Sequence, residues 1–412
     1  MYKTIFNGHV KTLKPFLTRQ FCKSNLQQGN EHYSSAIPYL SVRDLKCERR
    51  LFDSILDVRT PAEFEEDRVP GALSIPVLSD EQRHVIGMQY SRSKFEARKQ
   101  GAALISQNIS QHLRHYFADK SSSYKPLIYC WRGGQRSKSL AIILQEIGFK
   151  PTLLLGGYKE YRRLVRARLF DTSSTSLVRP LRFVRISGAT GSGKSLVLEV
   201  LRARGEQVLH LEELARHKGS VLGLYPGEKQ PSQKMFESLL HQQLEEEFTP
   251  DKVVWVENES SKIGSNIIPL GVWRHMAASP RIQINLSLED RVRYILSDYD
   301  YMCSAENKVF LTNIISSLER YAGKKRCNRW QDLIKNDKYE ELVEELIVDY
   351  YDLNYKKPNN ESTLNFVVPN GLMLNRDALE DSNLISDLIK FGLSLIGNVK
   401  IDERMENSIE NH

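Results

Sequence analysis

This 412-residue chain has no run of about 18 apolar residues, so no segment has the length to cross a bilayer as a helix, and a soluble protein is expected. Cysteine is scarce: Cys22, Cys47, Cys130, Cys303 and Cys327 are scattered and odd in number, with no CxxC or Cys/His spacing. That excludes a disulfide framework and a structural zinc site, fits a reducing compartment, and leaves a thiol free for chemistry. Internal repeats and long low-complexity tracts are also missing.

Acidic residues are absent from the first 30 positions, which hold Lys3, Lys11, Lys14, Arg19 and Lys23. Of the net charge of +7 these supply five, leaving +2 for the rest, so any RNA site must be a local basic patch. The segment carries Thr4, Thr12, Thr18 and Ser24 but no apolar core of a secretory signal, as transit peptides do. Residues 1–35 are therefore read as a basic N-terminal extension and candidate transit peptide, with a mitochondrial location expected and a cytoplasmic or plastid one as the alternative. A basic tail that holds RNA has the same composition.

What is there is α/β patterning, twice over. Residues 36–170 alternate short apolar runs (Ser54 to Val58, Leu127 to Cys130, Thr152 to Leu155) with helical stretches, the pattern of a small parallel sheet. The Ser/Thr-rich stretch 171–180 reads as a linker. A second α/β series fills 181–399, with apolar runs Phe183 to Ile186, Val253 to Val256 and Arg281 to Leu286, before a polar tail at 400–412.

In the first domain, the strand-like Leu127-Ile128-Tyr129 runs into Cys130-Trp131-Arg132-Gly133-Gly134-Gln135-Arg136-Ser137 and then a helical pattern. A thiol is thus placed above a helix N-terminus. Gly133 and Gly134 let successive amides turn inward as an anion nest, with Gln135 in the same loop and Arg132 and Arg136 adding charge. Such a loop favours a thiolate at Cys130 and an anionic sulfur or selenium donor beside it. The same residues satisfy the C-x5-R of cysteine phosphatases. The neighbours favour a rhodanese: Asp57-Val58-Arg59, Pro70-Gly71-Ala72 with Ile75-Pro76, and Gly156-Gly157-Tyr158 resemble that domain in order and spacing, while Tyr129 stands where a phosphatase usually has His. Asp57 and Arg59 read as scaffold in preference to chemistry.

In the second domain, Phe183 to Ser187 leads into Gly188-Ala189-Thr190-Gly191-Ser192-Gly193-Lys194-Ser195 and a helical stretch, which is G-x4-G-K-S in the strand-to-helix context of a Walker A loop. Amides freed by Gly188, Gly191 and Gly193, with Ser192 between them, face a di- or triphosphate. Lys194 pairs with its oxygens, and the Ser195 hydroxyl suits Mg²⁺. Glu257 and Glu259, in and after the run Val253 to Val256, are candidate Mg²⁺ or phosphate ligands, with surface or capping roles as the alternative.

Taken in order, these motifs resemble the tRNA 2-selenouridine synthase family. The likeness also lies in Leu78 to Arg83, Val85-Ile86-Gly87 and Tyr90, in Leu211-Glu212 with His217, in Gln230 to Gln233 with Phe236-Glu237, and in Trp255-Val256-Glu257 with Ile263-Gly264. His210-Leu211-Glu212-Glu213 and Glu257 to Ser261 depart from the family's usual acidic and basic pattern. The resemblance implies a rhodanese-like domain fused to a P-loop domain in a transferase. Its reaction would replace sulfur by selenium at C2 of wobble 2-thiouridine in tRNA, through an S-geranyl intermediate. Geranyl diphosphate and selenophosphate would be co-substrates, and alkylation would turn a poor leaving group into a better one.

Residues 80–125 form an insert longer than a minimal rhodanese needs, carrying Arg83, His84, Arg92, Lys94, Arg98 and Lys99. Arg92, Lys94, Arg98 and Lys99 are the candidate tRNA contacts; a solvated helix face paired with Glu81 and Glu96 is the alternative. Two other readings stay open: a P-loop kinase or ATPase with a rhodanese sulfurtransferase or sensor, suggested by Arg291 and Arg293 after a strand, and a tRNA-binding or persulfide-carrying module without catalysis.

Overall fold

The structure, a computed structural model, describes residues 36–173, 180–258, 260–354, 363–367 and 376–397. The expected N-terminal extension, positions 174–179 of the expected linker, Glu259 and the tail 400–412 lie outside the described residues.

Two compact units are present, one running to Thr60 and from Ala72 to Glu160, the other taking Pro61–Gly71 and the described residues from Tyr161 on. Both are α/β with parallel sheets.

In the first unit, strands β1 (Tyr39–Leu40), β2 (Ser54–Asp57), β3 (Ala72–Ser74), β4 (Pro126–Tyr129) and β5 (Thr152–Leu154) form a sheet of order β1-β5-β4-β2-β3. Every adjacent pair is parallel. The central strands are covered on both faces, so continuous apolar runs replace alternation. β4 is buried along its whole length. Leu56, Ile128, Leu140, Leu144 and Leu153 form the core, with Ile105 and Ile109 from the insert helix Lys94–His115 packed into it. The insert is thus anchored by one helix, while its other helix, Asp80–Arg92, has no buried residue.

The second unit holds β6 (Arg182–Gly188), β7 (Gln207–Leu209), β8 (Val253–Glu257), a two-stranded hairpin of β9 (Lys262–Ile263) and β10 (Asn266–Ile267), β11 (Arg281–Asn285) and β12 (Thr363–Val367). Its main sheet has the order β12-β11-β6-β8-β7, all parallel. Val184, Ile186, Val208, Trp255, Ile282 and Ile284 line the sheet core, closed by Ile385 and Leu388 from the helix Asn383–Gly397. A separate apolar cluster, around Trp330, Leu311, Leu333, Leu342 and Leu346, unites the helices between Lys308 and Leu346.

The segment Pro61–Gly71, which the sequence places inside the first domain, belongs with the second unit for a local reason. Lys234 Nζ reaches Glu66 Oε1 at 2.5 Å, and the Ser232 hydroxyl donates to the Glu66 carbonyl. Within the same unit Arg162 pairs with Glu237.

Candidate functional site

Each unit places a loop at the carboxyl end of an interior strand, where open parallel sheets present their ligand sites. In the first unit that strand is β4, flanked by β5 and β2.

Cys130 follows β4 directly and is 3% exposed. The Gly134 amide donates to its Sγ at 3.3 Å and the Ser137 hydroxyl at 3.2 Å. The helix Gln135–Ile147 starts immediately beyond, so its N-terminal dipole adds to these donors. Cys130, Gly133 and Gly134 stand out in the sequence; Ser137 has no evident role there, and the structure sets its hydroxyl on the sulfur. Gly133 takes φ +64°, the left-handed turn that bends the loop back. Arg132 and Gln135 are exposed, and Arg136 is half-buried.

The Gly156-Gly157-Tyr158 motif acts on this loop through the backbone. Tyr158 N donates to Cys130 O and Lys159 N to Trp131 O, both at 2.9 Å. At Gly157 a Cβ would stand 2.3 Å from Cys130 O and 2.6 Å from Gly133 N, so no larger residue lets the segments close. The Asp57 and Arg59 pair supports the same wall. Arg59 Nε donates to Oδ1 and Oδ2 at 3.0 Å and Nη2 to Oδ2 at 2.6 Å, with both side chains buried. The guanidinium lies 3.9 Å from the Tyr158 ring centre, and the Tyr158 ring meets Trp131 at 5.2 Å. Asp57 and Arg59 therefore brace the loop, in keeping with a scaffold role.

In the second unit the strand is β6, between β11 and β8. Its loop uses left-handed turns at Gly191 (φ +80°) and Gly193 (φ +74°), and the helix Lys194–Ala203 begins at once. At Gly188 a Cβ would fall 2.1 Å from Ser192 Oγ, so the missing side chain lets the loop fold over itself. Lys194 Nζ donates to Gly188 O at 3.1 Å, bridging the loop whose phosphate it would meet. Ser192 Oγ is buried without a hydrogen-bond partner among the described residues.

The acids around this loop divide differently from the sequence expectation. Ser195 Oγ donates to Glu212 Oε2 at 3.2 Å, which puts Glu212 beside the hydroxyl suited to Mg²⁺. Glu257, a candidate for that role with helix capping as the alternative, turns toward the β7 side: Oε2 accepts the amide of Leu211, first residue of the helix Leu211–Ala215, at 2.9 Å and Oε1 lies 2.5 Å from His210 Nδ1. Burial works against charge on His210, but Glu257, with Glu213 and Glu212 nearby, outweighs it and pushes the imidazole up to about 9. In the sequence Glu212 is marked only as part of the family-like Leu211-Glu212, with no role attached. Its position straight after the short β7 run is the available signal, and that run, cut off by the polar Gln207, is not legible as a strand.

Both the phosphate loop and Glu212 line a cavity of about 720 Å³ that lies wholly in the second unit. Its polar lining includes Lys194, Ser195, Glu212 and Lys218. Its apolar lining includes Leu222, Ile295, Met302, Leu311, Leu342 and Leu346. Lys218 pairs with Asp298 at 2.9 Å and lies 4.1 Å from the Tyr299 ring centre. Arg291, a candidate kinase-type arginine in the sequence, donates to Thr190 O at 2.8 Å and pairs with Asp352 through both terminal nitrogens. The candidate tRNA contacts Arg92, Lys94, Arg98 and Lys99 are all exposed, on the insert helices.

Comparison with known proteins agrees with this two-loop arrangement. Residues 42–164 match the rhodanese-like domain family and residues 181–373 the tRNA 2-selenouridine synthase AAA domain family. A tRNA 2-selenouridine synthase of Nitrosomonas europaea is 33% identical over 269 residues, covering 64% of this chain and 67% of that one. Those of Bdellovibrio bacteriovorus and Shewanella halifaxensis are 31% and 30% identical, covering 78% and 90% of those proteins and 68% and 75% of this chain. A rhodanese-like unit with a buried thiol under helix donors, followed by a P-loop unit of this family's own type, places the chain in the tRNA 2-selenouridine synthase family.

Proposed function

We propose that this enzyme replaces sulfur by selenium at C2 of wobble 2-thiouridine in tRNA, with each loop serving one half of the reaction. The observation that carries this is the cavity of the second unit, whose phosphate loop opens onto an apolar wall. Leu311, Leu342 and Leu346 also serve the core of the helix cluster, but Leu222 and Ile295 are half-buried cavity residues, Ile295 directly against Gly191 of the phosphate loop; a diphosphate joined to an apolar chain uses both kinds of lining. Geranyl diphosphate fits that description, and its tail would gain roughly 25 cal/mol for each Å² of apolar surface buried.

In the first half-reaction the thiocarbonyl sulfur of the uridine attacks C1 of the geranyl group, the C–O bond breaks, diphosphate leaves, and the base gives up its N3 proton to solvent. Lys194 and the loop amides bind the diphosphate and stabilise its developing charge. Ser195 and Glu212 would hold Mg²⁺, which when bound supplies further charge neutralisation at the diphosphate. In the second half-reaction the selenium of selenophosphate adds to C2, the C2–S bond breaks, and geranylthiol leaves with a proton. Water then takes the phosphoryl group to give phosphate. The Cys130 loop would hold the donor, with the Gly134 amide and Ser137 hydroxyl fixing the Cys130 sulfur beside it.

Mass spectrometry of nucleosides from 2-thiouridine tRNA, incubated with geranyl diphosphate and selenophosphate, tests this directly. Wild type should yield selenouridine. Cys130→Ala should accumulate the geranylthio form, and Lys194→Ala should leave thiouridine unchanged. Thiouridine untouched by wild type, with ATP hydrolysed in the absence of tRNA, would favour the kinase or ATPase reading. We further propose that residues 1–35 direct the protein to mitochondria; a reporter fused to them that stays cytosolic would contradict this.

A further inference from the structure

The insert of the first unit is a helical hairpin whose tip gathers exposed rings and cations around one turn. Its helices, Asp80–Arg92 and Lys94–His115, are joined by Ser93 alone, which ends one and caps the other by accepting the Glu96 amide. They run back to back: Gly101 faces Ile86, and Asn108 Nδ2 bonds Gln82 Oε1 at 2.8 Å further from the turn. The anchored end is buried through Ile105 and Ile109, while the tip exposes Tyr90, Arg92, Lys94, Phe95, Arg98 and Lys99.

Two independent features coincide there. Phe95 is 72% exposed and Tyr90 43% exposed, one on each helix within three residues of the Ser93 turn. Four cations accompany them against one acid, Glu96, which pairs with Lys99 at 2.8 Å. Lys99 Nζ also lies 5.7 Å from the Phe95 ring centre. Rings interleaved with cations suit unpaired nucleotides, whose bases stack on the rings while phosphates meet the charges. Base-paired RNA hides its base faces and would use the charges alone.

We propose that this hairpin tip receives the unpaired loop of the RNA substrate, with Phe95 and Tyr90 as stacking platforms and Arg92, Lys94 and Arg98 as phosphate contacts. This rests on the tRNA reading and assigns its docking surface. Because these side chains are exposed, their replacement spares the core that Ile105 and Ile109 supply.

The test is fluorescence anisotropy of full-length protein with an anticodon stem-loop and with a fully paired RNA of equal length. Phe95→Ala should weaken stem-loop binding by about 10-fold or more, the effect of removing one stacked base, and leave duplex binding nearly unchanged. Arg92→Glu with Lys94→Glu should weaken both and reduce the salt slope by about 0.7 for each single-strand phosphate no longer neutralised. Circular dichroism and the thermal melt of the first unit serve as the folding control and should match wild type. If wild type binds the stem-loop and these variants bind it equally well, the tip is not the docking surface while the tRNA reading stands. If wild type binds neither RNA, both fall.

Discussion

At Gly157 a hydrogen atom in place of a side chain decides whether the cysteine loop closes. Its φ of +59° and the 2.3 Å approach of a would-be Cβ to Cys130 O act together. Left-handed backbone alone costs an L-residue about 1–2 kcal/mol. Gly157→Ala should therefore lower the melting temperature and abolish selenium transfer. Gly134 makes the contrast: nothing lies within 4 Å of its would-be Cβ, and its φ is −94°. Gly134→Ala should fold like wild type and keep its amide on the sulfur, so circular dichroism and thermal melting separate the two glycines. Arg59→Ala strands the buried Asp57 carboxylate, and breaking such a pair costs about 3–5 kcal/mol. Urea unfolding followed by a probe in the first unit reads that destabilisation. At His210 the folded imidazole titrates at about 9 against an ordinary 6.5. Its contribution is thus fully present below about 6.5 and fades as pH rises through about 9. His210→Asn should flatten the stability profile between those values, as followed by thermal melts from pH 6 to 10.

Among elements, the two functional loops share one construction: a strand interior to a parallel sheet, a glycine turn, and a helix whose N-terminus faces the ligand. Their strands β4 and β6 are readable in the sequence because buried parallel strands are continuous apolar runs. The edge strands β1, β3 and β7 are not: β5 is as short, but its apolar run extends to Leu155, whereas theirs are cut off by polar residues such as Ser41, Ser74 and Gln207. For the same reason the part played by Glu212, beyond β7, is hidden. The insert hairpin is set by its caps. Ser79 accepts the Gln82 amide at 3.2 Å while Gln82 Oε1 accepts the Ser79 amide at 2.9 Å, a reciprocal capping box. With no buried residue in Asp80–Arg92, that helix leans on its cap and its partner. Ser79→Ala should cost it about 1 kcal/mol, seen as faster amide exchange over residues 80–92 with the sheet unaffected.

At the scale of the whole molecule, each unit has its own core, and the proposed reaction divides its two halves between them. If the geranylated tRNA is released between them, an equimolar mixture of Cys130→Ala and Lys194→Ala proteins should restore selenouridine formation that neither variant achieves alone. Nucleoside mass spectrometry of the mixture checks this, and a mixture that stays inactive would mean that the intermediate is never released. The sequence by itself determined the α/β class, the thiol loop and the phosphate loop, because those depend on residues adjacent in the chain: a strand, glycines where the backbone must turn left-handed, and a helix start. Only the tertiary structure decided which partner each side chain meets. Leu211 and Glu257 share a hydrogen bond across 46 positions, and the cavity joins the phosphate loop to helices more than a hundred residues later. Such pairings follow from how the sheet sets β7 beside β8 and where the helical cluster packs, and no local spacing encodes them.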